Sequence, residues 1–265
     1  MISTQTDAKH NALAGGGIVS KRTRIVSKML LTTMLRNPMT MFWNFVFPIF
    51  LLVLYRAIFG SKFVGQFDFM TWVVPGILVM NNLSFGLIGS TALVLKARED
   101  GVLQRIRVSP MPTGQLVRCF LIANFVTILV QSILVMLTSA IFYGWRPSLA
   151  ALAVGSLLSL FTGVVSLIAG QALANVAGKQ ATALAIAQLI YFTQLFLGGL
   201  VYPSSELPSW LSRSARFLPG AAMGQMVREP FLSNGIPLFD TAITIAYGVP
   251  LAVIAIRLFS WEPRP

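Results

Sequence analysis

Apolar residues fall in long runs along this chain, broken in a few places by short charged or proline-rich stretches. Six runs, about 39–59, 69–95, 116–143, 149–177, 182–202 and 241–259, are long enough to cross a bilayer as helices, because the hydrocarbon layer takes about 20 apolar residues. The pattern predicts an all-α polytopic membrane protein with a single six-helix transmembrane domain over 38–265. Ahead of it, 1–19 are polar and Gly-rich and read as a disordered leader. Its apolar stretch starts too far from Met1 for a cleavable signal. Over 20–37, Lys21, Arg22, Arg24, Lys28 and Arg36 oppose Val26, Leu30 and Met34 at four-residue spacing. This reads as an amphipathic helix on an anionic membrane surface. The same residues read equally well as a basic flank that only sets topology.

Polar interruptions within the runs shape the expected packing. Pro48 should kink the first span, and Arg56, near its outer end, can snorkel to the interface. Asn81 and Asn82 in the second span, Gln131 in the third, and Gln188 and Gln194 in the fifth lie well inside apolar sequence. Amides there cannot face lipid without cost, so they either hydrogen-bond another helix or line a substrate path. In the fourth span, Gly155, Ser159 and Gly163, then Ser166, Gly170 and Ala174, recur every fourth residue or nearly so, which lets a neighbouring backbone approach closely. The segment 203–237 is too polar to span and too apolar for a free loop. Pro208, Pro219 and Pro230 divide it, and it reads as two short re-entrant helices dipping into the outer interface.

Composition narrows the chemistry. Hydrophobic residues make up 55% of the chain and charged ones 11%, with a mean hydropathy of +0.76; an ordinary globular domain has roughly 25% charged residues. One cysteine, Cys119, rules out an intrachain disulfide, and the single histidine, His10, leaves no His/Cys metal cluster to assemble. The net charge of +12 is shared among membrane-flanking segments rather than gathered on one face, which argues against nucleic acid. No ionisable residue lies deep in any of the six runs, so the equipment of an ion-coupled carrier is absent. There is also no phosphate-binding loop, so the energy must come from another polypeptide. The competing class, a membrane-embedded transferase or hydrolase, would have to use the scattered carboxylates Asp68, Glu206, Glu229 and Asp240, whose spacing matches no catalytic arrangement. Basic residues collect on the side that holds the leader, 96–112, Lys179 and the C-terminus, which places both termini in the cytoplasm.

Between the second and third runs stands the densest charged stretch of the interior, Lys96 to Pro112, KAREDGVLQRIRVSPMP. It must lie in water; Gly101 can break or start a turn, Val102, Leu103 and Ile106 share one side of a short helix, and Pro110 and Pro112 stop it. The string Ala97 to Pro110 resembles the cytoplasmic segment of the type-2 ABC export permeases, with its acidic pair, glycine and Ser-Pro stop. Arg36-Asn37-Pro38 with Phe47-Pro48, and Tyr202-Pro203 with Leu207-Pro208-Ser209-Trp210-Leu211 and Leu218-Pro219, are similar to further stretches of that family. The likeness runs from about residue 20 to the Ser260-Trp261-Glu262 ending. Val102 replaces the family's usual hydroxyl residue, and Pro112 is unusual after the stop.

The resemblance implies a permease of the drug-exporting branch in a bacterial cytoplasmic membrane. Two copies would engage two cytoplasmic ABC ATPase subunits. ATP and Mg would be bound by those partners, with no cofactor, metal or catalytic residue in this chain. Glu99, Asp100, Gly101, Leu103, Arg105 and Ile106 would meet the ATPase. The cargo would be an amphiphile, with lipid-linked polysaccharide as the alternative.

Overall fold

The computed structural model describes residues 27–29, 31–32, 35–36, 38–59, 63–64, 67–101, 113–200, 208–232, 235 and 237–258. Within them the chain is helical apart from turns and one two-stranded ribbon. Six helices are long and apolar enough to cross a membrane. They are α1 (Phe42–Phe59), α2 (Phe69–Glu99), α3 (Thr113–Tyr143), α4 (Leu149–Val176), α5 (Gln180–Leu197) and α8 (Leu238–Arg257). Two shorter helices, α6 (Ser209–Ala215) and α7 (Pro219–Leu232), stand between α5 and α8. Residues 27–29, 31–32 and 35 are also helical, inside the expected interface helix.

Local chemistry accounts for the irregular places. Pro48 cannot donate to the carbonyl four residues back, and its ring crowds that carbonyl. The wider π-helical turn Phe42–Val46 lies just ahead of it, and the helix then runs on through Pro48 to Phe59. The outer link to α2 carries a ribbon that the hydropathy pattern misses, β1 (Phe63–Val64) paired antiparallel with β2 (Phe67–Asp68). Asp68 then caps α2, its carboxylate accepting from Met70 N at 3.0 Å.

Two expected boundaries move. The fifth run reads as helix to 202, but α5 ends at Leu197, where Gly198 takes the C-cap and Gly199 adopts a left-handed φ of 66°. The charged stretch reads as water-exposed from Lys96, but Lys96–Glu99 form the last turn of α2 and Arg98 is buried. Gly101, at φ 67°, makes the turn that follows.

The core is built around α2 and α4, which run parallel. Their hydrogen bonds join residues separated by a near-constant 76 to 81 positions, from Asn82–Ser159 through Thr91–Gly170 and Ser90–Gln171 to Arg98–Ala174. Close approach is possible because Gly86 lies against Ser166 and Leu167, and Gly170 against the Gly86 carbonyl. The four-residue series of small residues on α4 thus meets a glycine on its partner. Helix α7 is part of this core: Met223 and Val227 pack with Val79, Met80 and Leu83 of α2.

Candidate functional site

The inner end of the α2–α4 pair carries the base of the charged segment. Arg98 is 3% exposed. Its Nη1 donates to Ala174 O at 2.6 Å and its Nη2 to Asn175 Oδ1. These partners lie in the last turn of α4, where carbonyls lack intrahelical donors and the helix dipole is negative, so a cation is favoured. The next residue has the opposite charge and meets the opposite helix end. Glu99 Oε1 accepts from Gln180 N, the first helical residue of α5, at 3.3 Å. The Arg-Glu pair thus matches the two dipoles of the tight α4–α5 turn. Asn175 Nδ2 continues the set by donating to Ala255 O, in the last turn of α8, at 2.8 Å. Glu99 and Asp100 are otherwise exposed, and Gly101 is half-buried. Leu103, Arg105 and Ile106 lie outside the described residues.

The five amides do not converge. Asn82 is buried, its Nδ2 donating to Ser159 O at 2.8 Å, Thr162 Oγ1 at 2.9 Å and Ser159 Oγ at 3.2 Å, all on α4. Gln194 is also buried, and its Oε1 accepts from Gly220 N at 2.7 Å, satisfying the N-terminus of α7. Asn81 on α2 and Gln131 on α3 are buried too, with Asn81 Nδ2 and Gln131 Oε1 lacking partners. Gln188 lies on the exposed face of α5 beside Ile186, Leu189 and Phe192. Of the outer carboxylates, Asp68 is the α2 cap and Asp240 opens α8; Glu206 lies outside the described residues.

A site the sequence reading did not single out sits at the outer end. Arg228, within the 203–237 segment that the sequence divides by prolines, is 1% exposed. Its Nε donates to Trp72 O at 3.1 Å, and its Nη2 to Gly199 O at 2.8 Å and Leu200 O at 3.1 Å. The guanidinium lies 4.1 Å from the centroid of the Trp72 ring. Gly76 and Gly224 make the room: a methyl at Gly76 would strike Leu200 O and come within 2.7 Å of Nη2. The signal was present as Gly220, Gly224 and Arg228 at four-residue spacing, a small-residue face ending in a cation that has no acid beside it on that face. Next to it, Tyr247 Oη donates to Phe217 O at 3.1 Å, and Arg216 lies over Phe239, which fasten the α6–α7 turn to α8.

Six membrane-length helices, with a pair of short helices packed on them at the end opposite the charged turn of α2, define a polytopic membrane domain. The family model described as "ABC-2 type transporter" matches residues 22–232, and the chain belongs to that family. It is the membrane component of such a transporter rather than its nucleotide-binding domain. It is also similar to ABC transporter G family member 20 of Dictyostelium discoideum, 24% identical over 192 residues. That match covers 72% of this chain and 26% of the relative, so the chain spans about a quarter of the length of that protein.

Proposed function

We propose that this chain is the permease subunit of an ATP-driven exporter that moves an amphiphilic molecule, such as a drug, antibiotic or lipid-like compound, out across the cytoplasmic membrane. ATP is hydrolysed on a separate soluble ABC ATPase, and two permease copies work with two ATPases. The segment 99–107 receives the push, and Leu103 and Ile106 supply its apolar contact. One observation carries this reading. The helix that leads into the segment ends in a turn tied through Arg98 and Glu99 to α4 and α5, so movement of the segment is delivered to the packed core and not absorbed by a loose linker. Spans without ionisable residues at mid-depth favour an amphiphile over an ion. The exposed face of α5 bearing Gln188 is the surface on which a polar path between two copies could form.

The test is purification of the tagged full chain from its native membranes. An ATPase with a phosphate-binding loop should accompany it, and should be lost from the variant carrying Leu103→Asp and Ile106→Asp. Retention of the ATPase and of export in that variant would remove the assignment of the segment.

A further inference from the structure

At the inner end, three helix termini that belong to different spans meet on two side chains. Asn175 is fully buried and uses both halves of its amide, Oδ1 accepting from Arg98 and Nδ2 donating to Ala255 O at 2.8 Å. Ala255 lies in the last turn of α8, whose carbonyls have no partner within their own helix. Arg98, one residue before the segment that meets the ATPase, holds Ala174 O with one nitrogen and Asn175 with the other. An asparagine is the residue type of this size that accepts and donates at once, and an arginine the one whose planar fork reaches two acceptors together.

We propose that Arg98 and Asn175 are positioning residues that carry displacement of the 99–107 segment into α8, the last span, through the hydrogen bond from Asn175 to Ala255 O. The inference rests on the coupling reading above. Helix α8 is distant in sequence from the segment, and Arg98, Asn175 and Ala255 O form a two-bond polar relay from the end of α2, through the end of α4, to the end of α8. When the segment moves with α2, Asn175 makes the near end of α8 follow; without the link, that end is guided only through the packing of α8 on α4 and α7 and its contacts with the α6–α7 turn, made by Phe239 and Tyr247.

The complex purified with its own ATPase, in lipid nanodiscs and in a Cys119→Ser background, provides the test. An environment-sensitive fluorophore is placed at Ile256→Cys, on the exposed inner end of α8, and in a second preparation at Gln104→Cys. ATP with vanadate is the trigger. Both labels should respond in the otherwise unaltered protein. Asn175→Asp keeps an acceptor for Arg98 but has no donor for Ala255 O. It should cut the response at 256 about fivefold, the effect of losing one hydrogen bond, while leaving the response at 104 intact. Arg98→Lys, which can hold one acceptor but not both, should give an intermediate response at 256 with 104 again unchanged. If Asn175→Asp does not assemble, Arg98→Lys decides alone. A full response at 256 in the variants overturns the proposal. No response at 104 before any substitution overturns the coupling reading itself, and the proposal with it.

Discussion

The guanidinium of Arg228 lies over the indole of Trp72 while its Nε donates to the carbonyl of that same residue. One side chain of α7 therefore grips α2 by both its backbone and its ring, and with its remaining bonds grips the turn that ends α5. A buried cation is costly unless its donors are met, and here three main-chain carbonyls meet them. Gly199 and Leu200 lie past the end of α5, where their carbonyls lack helical donors, so the cation and that turn satisfy each other. The outer ends of α2, α5 and α7 are consequently expected to move as one body.

Removing the grip should therefore destabilise the fold in a graded way. Arg228→Met leaves the buried Gly199 and Leu200 carbonyls without this donor and should cost about 3 kcal/mol. Arg228→Lys keeps the charge but cannot span carbonyls of residues 72, 199 and 200 together, and should cost about 2 kcal/mol. Trp72→Phe keeps the backbone bond and an aromatic face, and should cost about 1 kcal/mol. Thermal unfolding of the purified chain in nanodiscs reads the order; Arg228→Met as stable as the unaltered chain would show that the carbonyls find other partners.

The contrast between Arg228 and the membrane spans shows what the sequence could and could not disclose. The spans are legible because each is a long local run, and bilayer thickness imposes its length. The α2–α4 contact was half legible: the four-residue series on α4 announced a close neighbour but did not say that Gly86 would supply it. Arg228 was missed because its burial depends on carbonyls 156, 29 and 28 residues away. A count of basic residues treats such a cation as surface. Arg98 was read as solvated for the same reason, since its acceptors belong to a helix that begins fifty residues later.

Two glycines in one π-helical stretch of α2 should behave oppositely. A methyl at Gly86 would collide with Ser166 and the backbone of Leu167, neither of which can swing away. Gly86→Ala should therefore cost about 2 kcal/mol as overpacking of the α2–α4 seam. At Gly89 the nearest atom, on the Phe85 ring, is 3.5 Å away, an ordinary contact. Gly89→Ala should be neutral or stabilising by up to about 1 kcal/mol through helix propensity. The difference in unfolding temperature between the two single variants is the measurement, and equal effects would mean the seam is looser than its geometry.

The buried and exposed amides should separate stability from transport. The two N–H groups of Asn82 Nδ2 are shared among three acceptors on α4, so Asn82→Ala should lower the unfolding temperature. A double-mutant cycle with Thr162→Val should give a coupling of about 1 kcal/mol, within the range of polar contacts between membrane helices. Gln188→Ala removes an exposed side chain and should leave unfolding unchanged. If the α5 face lines the substrate path, it should alter export of an amphiphilic dye from vesicles. A stability loss for Gln188→Ala without a change in export would instead make that amide a packing contact.

Sidedness is the expectation that the charge distribution makes most sharply. Lys179 is exposed in the turn between α4 and α5, Arg146 is exposed in the turn between α3 and α4, and the two turns are joined by the whole length of α4. They must therefore face opposite sides of the membrane. Short loops rich in Lys and Arg stay in the cytoplasm, and Lys179 shares its side with the 96–112 segment because Glu99 bonds Gln180. With Cys119 buried and hence unreactive, a membrane-impermeant maleimide added to intact cells should label Arg146→Cys. It should label Lys179→Cys and Gln104→Cys only after permeabilisation. Labelling of position 104 or 179 from outside would invert the chain, place the charged segment away from any cytoplasmic ATPase, and end the coupling mechanism.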